Sequence, residues 1–146
     1  MEPSTASEKD PQGVLDRLLQ ATNRHEVTEL AACFAEDYVN RTPAHPGRGF
    51  TGRDQVRRNW EQIFAGIPDI TASILSATVD GGRIWSEWHL SGNRGDGTPH
   101  EMAGVIIFTI DGGEITTARF YLEPVEHGSG TVADAVRRTV TTAAAR

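Results

Sequence analysis

The stretch HEMAGVIIFTIDGGEITTARFYLEP, His100–Pro124, decides the fold. Its first part, HEMAGVIIFTI, is rich in β-branched residues and reads as a long central strand. DGG at 111–113 is a hairpin turn, because glycine supplies the positive φ that tight hairpins need. EITTARFYLEP then alternates. Ala118, Phe120 and Leu122 form an apolar face, and Arg119, Tyr121 and Glu123 a polar one. A period of two is the mark of a half-buried strand.

The same pattern extends upstream. RIWSEWHLSG, Arg83–Gly92, sets Ile84, Ser86, Trp88 and Leu90 against Trp85, Glu87, His89 and Ser91. GNRGDGTP after it is an exposed hairpin loop. DITASILSATV precedes it, joined by a second DGG at 80–82. Four strands linked by short turns make an antiparallel meander. Before Pro68 the period is 3.6. Val14, Leu15, Leu18 and Leu19 lie on one stripe of a helix. Asn23 and Glu26 have the spacing of a capping box for a second helix, burying Val27, Leu30, Ala31 and Phe34. EDYVNRTPAHPGRGFTG, with its two prolines and three glycines, predicts a short extended piece around Tyr38–Asn40 and then a loop. Thr51 and Asp54 signal the cap of a third helix, whose apolar face is Val56, Trp60, Ile63, Phe64 and Ile67. Helices first and sheet second means α+β, with the helices on one face of a curved antiparallel sheet.

The 146 residues fit one domain. Residues 1–11 are polar and without period, so disorder is expected there. The domain proper spans 12–125. The tail, 126–146, can form a last helix through Val132, Ala135, Val136 and Val140, marginal on its own. A net charge of −6 argues against nucleic acid and against an anionic membrane surface. No apolar run approaches a membrane span, and the polar N-terminus is not a signal peptide. The single cysteine, Cys33, reads as a small buried hydrophobe, and a cytoplasmic location follows as the default.

The order of three helices, an extended segment and a four-strand meander, with EDYVNRTP and GVIIFTIDGGEITTARFYLEP, resembles the SnoaL-like branch of the NTF2-like superfamily. The resemblance covers roughly residues 13–125. It implies a cone in which the bent sheet and three N-terminal helices enclose a pocket. Relatives include polyketide cyclases, limonene epoxide hydrolase and ketosteroid isomerase. The implied activity is cofactor-independent acid–base chemistry on a hydrophobic small molecule, in an isomerase, cyclase or hydrolase sense. By the same resemblance, Glu87 and His89 match the relatives' inward charged pair. Tyr38 and Asn40 match a pair that positions water or ligand. Met102, Gly104, Ile106, Ala118 and Phe120 match inward positions, and Trp85 would share their pocket.

Glu87 and His89 sit about 7 Å apart along a strand. Facing a pocket, they could move a proton to or from a carbon acid. Facing water, they are an ordinary surface pair. Phe120 stands where the catalysing relatives carry an Asp, and a phenyl ring is neither base nor nucleophile. The alternative is therefore a non-catalytic binding or structural dimer. Arg41 is a second departure, since many relatives have His after YVN. Trp60, Phe64, Trp85 and Phe120 could cage a flat ligand, although Trp60 and Phe64 also read as plain core. Gly104 marks either a close approach or a bend. No metal motif appears, and only His45, Glu87 and His89 suggest a conceivable site. By hydrophobicity alone Ile84, Trp88 and Leu90 would point inward. If Glu87 and His89 line the pocket instead, that apolar set lies outside and argues for a homodimer through the outer sheet face.

Overall fold

The computed structural model describes residues 9–141. The expectations for residues 1–8 and for the end of the tail, 142–146, lie outside the described residues. Helices α1 (Pro11–Arg24) and α2 (Val27–Ala32) lead into strand β1 (Phe34–Arg41). A short 3-10 turn (Pro46–Arg48) and strand β2 (Phe50–Thr51) follow, then helix α3 (Arg53–Gly66). Strands β3 (Thr71–Asp80), β4 (Arg83–Asn93), β5 (Pro99–Asp111) and β6 (Glu114–Pro124) form the meander, and helix α4 (Val132–Val140) ends the described chain. The six strands make one sheet in the order β2-β1-β6-β5-β4-β3. The segment around Tyr38–Asn40 is thus a full strand, paired in parallel to β6. No helix among the described residues is long and apolar enough to cross a membrane.

The inner sheet face is apolar. Cross-strand pairs Ile84–Phe108 and Leu90–Met102 of β4 and β5, and Phe108–Ala118 of β5 and β6, align it. Val14, Leu15 and Leu18 of α1 and Leu30 of α2 close over it and are all buried. Burying such side chains contributes about 1.5–3 kcal/mol each, which is why the helices stay on this face. Cys33 is buried at the end of α2, and burial pushes its thiol up to about 11.

Local caps differ from expectation. Asn23 does not cap α2, whose N-cap is Glu26 without a side-chain bond. Its amide reaches β3 instead: Nδ2 donates to the Ala72 carbonyl at 2.9 Å, and Oδ1 accepts from the Ala72 amide at 2.7 Å. It ties α1 to a strand that has a neighbour on one side only. Helix α3 starts from Gly52 at φ 101 with no side-chain cap, so Thr51 has no capping role. Phe34, expected on α2, opens β1. Main-chain pairing accounts for both positions: Phe34 pairs with Ile115 of β6, and Thr51 with Val39 of β1.

The orientation of β4 is a correction. Ile84, Ser86, Trp88 and Leu90 are buried, whereas Trp85 and Glu87 are exposed and His89 is half-buried. Glu87 and His89 therefore lie on the outer face, opposite the core. The reason is the free energy of burial. Inverting the strand would expose Ile84, Trp88 and Leu90 and bury a carboxylate. Ser86 explains its own burial, since its Oγ donates to the Ile106 carbonyl at 2.7 Å and accepts from the Trp88 indole at 2.8 Å. With Trp88 inside, the apolar outer set that argued for a homodimer does not exist.

Candidate functional site

The helices and the sheet enclose a cavity of about 330 Å3. Ligand pockets fall in the range of about 300–1,000 Å3. Helix α3 contributes Val56, Asn59, Trp60 and Ile63 to the wall, and Ile67 follows at its end. These residues sit on one helical stripe, yet only Val56 is fully buried. The helix stands off from the sheet and lines a hollow, which is why its apolar face remains half-accessible. Phe64 stays out of the wall and stacks on His25 with ring centroids 4.4 Å apart. Of the two aromatic residues on α3, Trp60 is thus a cavity residue and Phe64 a packing residue.

The sheet supplies the opposite wall: Trp88 and Leu90 from β4, Met102, Ile106 and Phe108 from β5, Phe120 and Leu122 from β6. Phe120 leans edge-on to Phe108, with centroids 6.4 Å apart. It narrows the cavity without filling it. Strand β1 brings Tyr38 and Asn40. The Tyr38 hydroxyl donates to Asn40 Oδ1 at 2.7 Å, and Asn40 Nδ2 donates weakly to Thr42 Oγ1 at 3.4 Å. Burial drives the Tyr38 hydroxyl far above the ordinary phenol range, so it stays a neutral donor. Its bond turns the Asn40 amide so that Nδ2 is the donor left for a guest.

Of the expected pocket residues, the structure thus brings Tyr38, Asn40, Met102, Ile106 and Phe120 to the cavity. It does not bring Trp85, Glu87, His89, Gly104 or Ala118. Ala118 is packed solid at 0 % exposure. Gly104, at φ 152, lies where a Cβ would run into the Tyr121 carbonyl oxygen. Its close approach is to the neighbouring strand. His89 Nε2 pairs with Glu101 Oε2 at 2.6 Å, and His127 reaches the other Glu101 oxygen at 2.6 Å. These two imidazoles hold the Glu101 carboxyl below its usual range. His45 pairs with Glu123 at 3.0 Å. Of the set His45, Glu87 and His89, the two imidazoles are thus paired with other carboxylates, and Glu87 is exposed on the outer face. Among the described residues no group of three or more His, Cys, Asp or Glu could hold a metal ion.

Several cavity residues were missed, among them Asn59, Trp88 and one titratable group. The titratable one is His100, the first residue of HEMAGVIIFTI, which lines the cavity and is half-buried. Its Nδ1 lies 3.3 Å from Arg94 Nη2, which can only donate. Nδ1 is then the acceptor, and the neutral ring carries its proton on Nε2. Burial, followed by the Arg94 charge, lowers the imidazole below its ordinary value. A signal existed, because His100 shares the face of Met102 and Ile106 at a spacing of two. Among the described residues no carboxylate lines the cavity.

The description "SnoaL-like domain" matches residues 15–118. The chain belongs to the SnoaL-like family. Solved structures agree on the fold. A protein with a ketosteroid isomerase-like fold from Catenulispora acidiphila, crystallised with trimethylamine, is 22% identical with a TM-score of 0.66, covering 77% of this chain and 86% of its own. IdmH, a candidate polyketide cyclase from Streptomyces antibioticus, is 20% identical at a TM-score of 0.67, with coverage of 77% and 91%. A Mycobacterium tuberculosis protein crystallised with estradiol-17β-hemisuccinate is 19% identical at a TM-score of 0.67, with coverage of 80% and 94%. No functionally curated protein matches the sequence. Within the SnoaL-like family this chain is thus an α+β cone of the NTF2-like type with an apolar cavity.

Proposed function

We propose that this SnoaL-like cone binds a flat, apolar small molecule carrying an oxygen that accepts a hydrogen bond, and that it does so without carboxylate chemistry. One observation carries the reading. The cavity wall is apolar apart from Tyr38, Asn40, Thr42, Thr22, Asn59 and His100, and Phe120, where the resemblance implies an acid, is part of that wall. Apolar walls give affinity, and a few placed polar groups give orientation. Asn40 Nδ2 would meet the ligand oxygen, with Met102, Ile106 and Phe120 against its body. The steroid ester in the M. tuberculosis relative is an apolar polycycle of this general kind.

The test is a titration of the protein with naphthalene-2-carboxamide, followed by the fluorescence of Trp60 and Trp88, which both line the cavity. Saturable quenching is expected, and it should vanish in Phe120→Trp, where a larger ring fills the space. Quenching that persists in a folded Phe120→Trp protein rejects the cavity as the binding site.

A second reading is an acid–base enzyme of isomerase, cyclase or hydrolase type, and a single observation favours it. An imidazole lies on the cavity wall, so His100 would move the proton in place of Glu87 and His89. It predicts exchange of the methyl protons of bound 2-acetonaphthone into D2O, lost in His100→Gln. Exchange at the uncatalysed rate with the wild-type protein rejects it.

The expected homodimer through the outer sheet face is retained on a different footing. In such a dimer Trp85 and Tyr121, 46% and 39% exposed, would supply the apolar contact in place of Trp88.

A further inference from the structure

A shallow depression lined by Asn59, Gln62, Ile63, Gly66, Ile67 and Arg94 lies beside the cavity and shares Asn59, Ile63 and Ile67 with it. Arg94 on that depression and His100 on the cavity are joined by the 3.3 Å hydrogen bond. The two hollows therefore meet at a seam. Its cavity side is greasy, and its outer side carries a guanidinium.

That guanidinium is held in place. Arg94 Nη1 donates to the Pro99 carbonyl at 2.6 Å and to Thr98 Oγ1 at 3.4 Å, which pins the side chain across its own hairpin loop. No ion pair engages it among the described residues. Two carboxylates lie nearby, each hydrogen-bonded to neutral donors; the Thr98 bonds first, and the Arg94 charge after them, hold the Asp96 carboxyl below its usual range. Asp96 accepts from the Thr98 amide and hydroxyl at 3.0 and 2.7 Å. Asp69 accepts from the Asn93 amide and side chain at 2.6 and 2.9 Å. A fixed cation that forms no ion pair, beside an apolar hollow, is a recognition element for an anionic head on an apolar body. The tautomer of His100 fits the same guest, since Nε2–H is a second donor at the seam.

We propose that the ligand of this cavity is an apolar carboxylate, its body in the cone and its carboxylate at the seam against Arg94 and His100. The proposal rests on the reading of the cavity as a ligand site and adds the chemical class of the guest. Charge-assisted contacts are roughly twice as strong as neutral ones, so the carboxylate should bind about tenfold tighter than an isosteric neutral amide.

The experiment compares naphthalene-2-carboxylate with naphthalene-2-carboxamide by isothermal titration calorimetry, in the wild-type protein, Arg94→Gln and Phe120→Trp. The expected result is a preference for the carboxylate that weakens with added salt. Arg94→Gln should weaken the carboxylate about tenfold and the amide less, so that the preference is lost. Equal affinity of both ligands for the wild-type protein overturns the proposal, as does an equal weakening of both by Arg94→Gln, while the cavity reading stands. If neither ligand binds the wild-type protein, or if both still bind folded Phe120→Trp, the cavity reading fails and takes the proposal with it.

Discussion

The Tyr38 hydroxyl is bonded to Asn40 Oδ1 at 2.7 Å, two residues along the same strand and on the same face, inside the cavity. This contact sets which end of the Asn40 amide a ligand meets. Tyr38→Phe removes the donor and leaves a buried carbonyl oxygen unpaired. Stability should fall by about 1–3 kcal/mol, read from the urea midpoint. Ligand affinity should fall with it, because the amide loses its fixed orientation. An unchanged midpoint would mean that Asn40 finds another partner at no cost.

Gly104 lies between Trp88 and Leu122 in the sheet at φ 152. Gly104→Ala would press a methyl group into the Tyr121 carbonyl and strain the backbone. A loss of about 1–3 kcal/mol is expected in thermal or chemical unfolding. Wild-type stability in that variant would show that β5 and β6 part more easily than their pairing suggests.

The outer face of β4 makes the opposite prediction. Glu87 is exposed and off the cavity, so Glu87→Gln should change neither the melting temperature nor ligand affinity by a measurable amount. Lost binding in a folded Glu87→Gln protein would restore the inward reading of this strand. Trp85→Lys on the same face should convert a dimer to a monomer in size-exclusion chromatography with light scattering. A dimer that survives places the interface elsewhere.

His100 should titrate below 6.5 in the folded protein, because burial and then Arg94 disfavour its charged form. The unfolded chain therefore binds more protons between the folded value and 6.5. Any contribution to stability is complete above 6.5 and declines as the pH falls through the folded value. NMR titration of the ring protons measures the first point. Arg94→Gln should raise the value by removing one of the two causes, and His100→Gln should flatten this part of the stability profile. A wild-type ring that titrates above 6.5 would contradict the placement of His100 against the cavity.

Alternation and composition were enough to predict the meander, the helices before it and their burial on one sheet face. They also divided β4 into two sets of side chains, as the structure does. The family resemblance chose the wrong set for the inside. In a strand every side chain reverses when the register slips by one residue, so Glu87 and His89 can face the hollow only if Ile84, Trp88 and Leu90 leave it. Hydrophobicity favoured Ile84, Trp88 and Leu90, and burial energy decided for them. Tyr38 and Asn40, implied by the resemblance alone, do line the cavity.

The remainder depended on elements distant in the chain. Asn23 carries a capping signal in sequence, and only the meeting of α1 with β3 turns its amide to Ala72. His100 looks like a loop residue until α3 folds over the start of β5 and Arg94 reaches back across the hairpin. Periodicity is a local property of the backbone, so the sequence by itself determined the strands, the helices and their two-sidedness. Which titratable group faces the hollow is a contact between segments far apart in sequence, and the packing of the whole cone decided that.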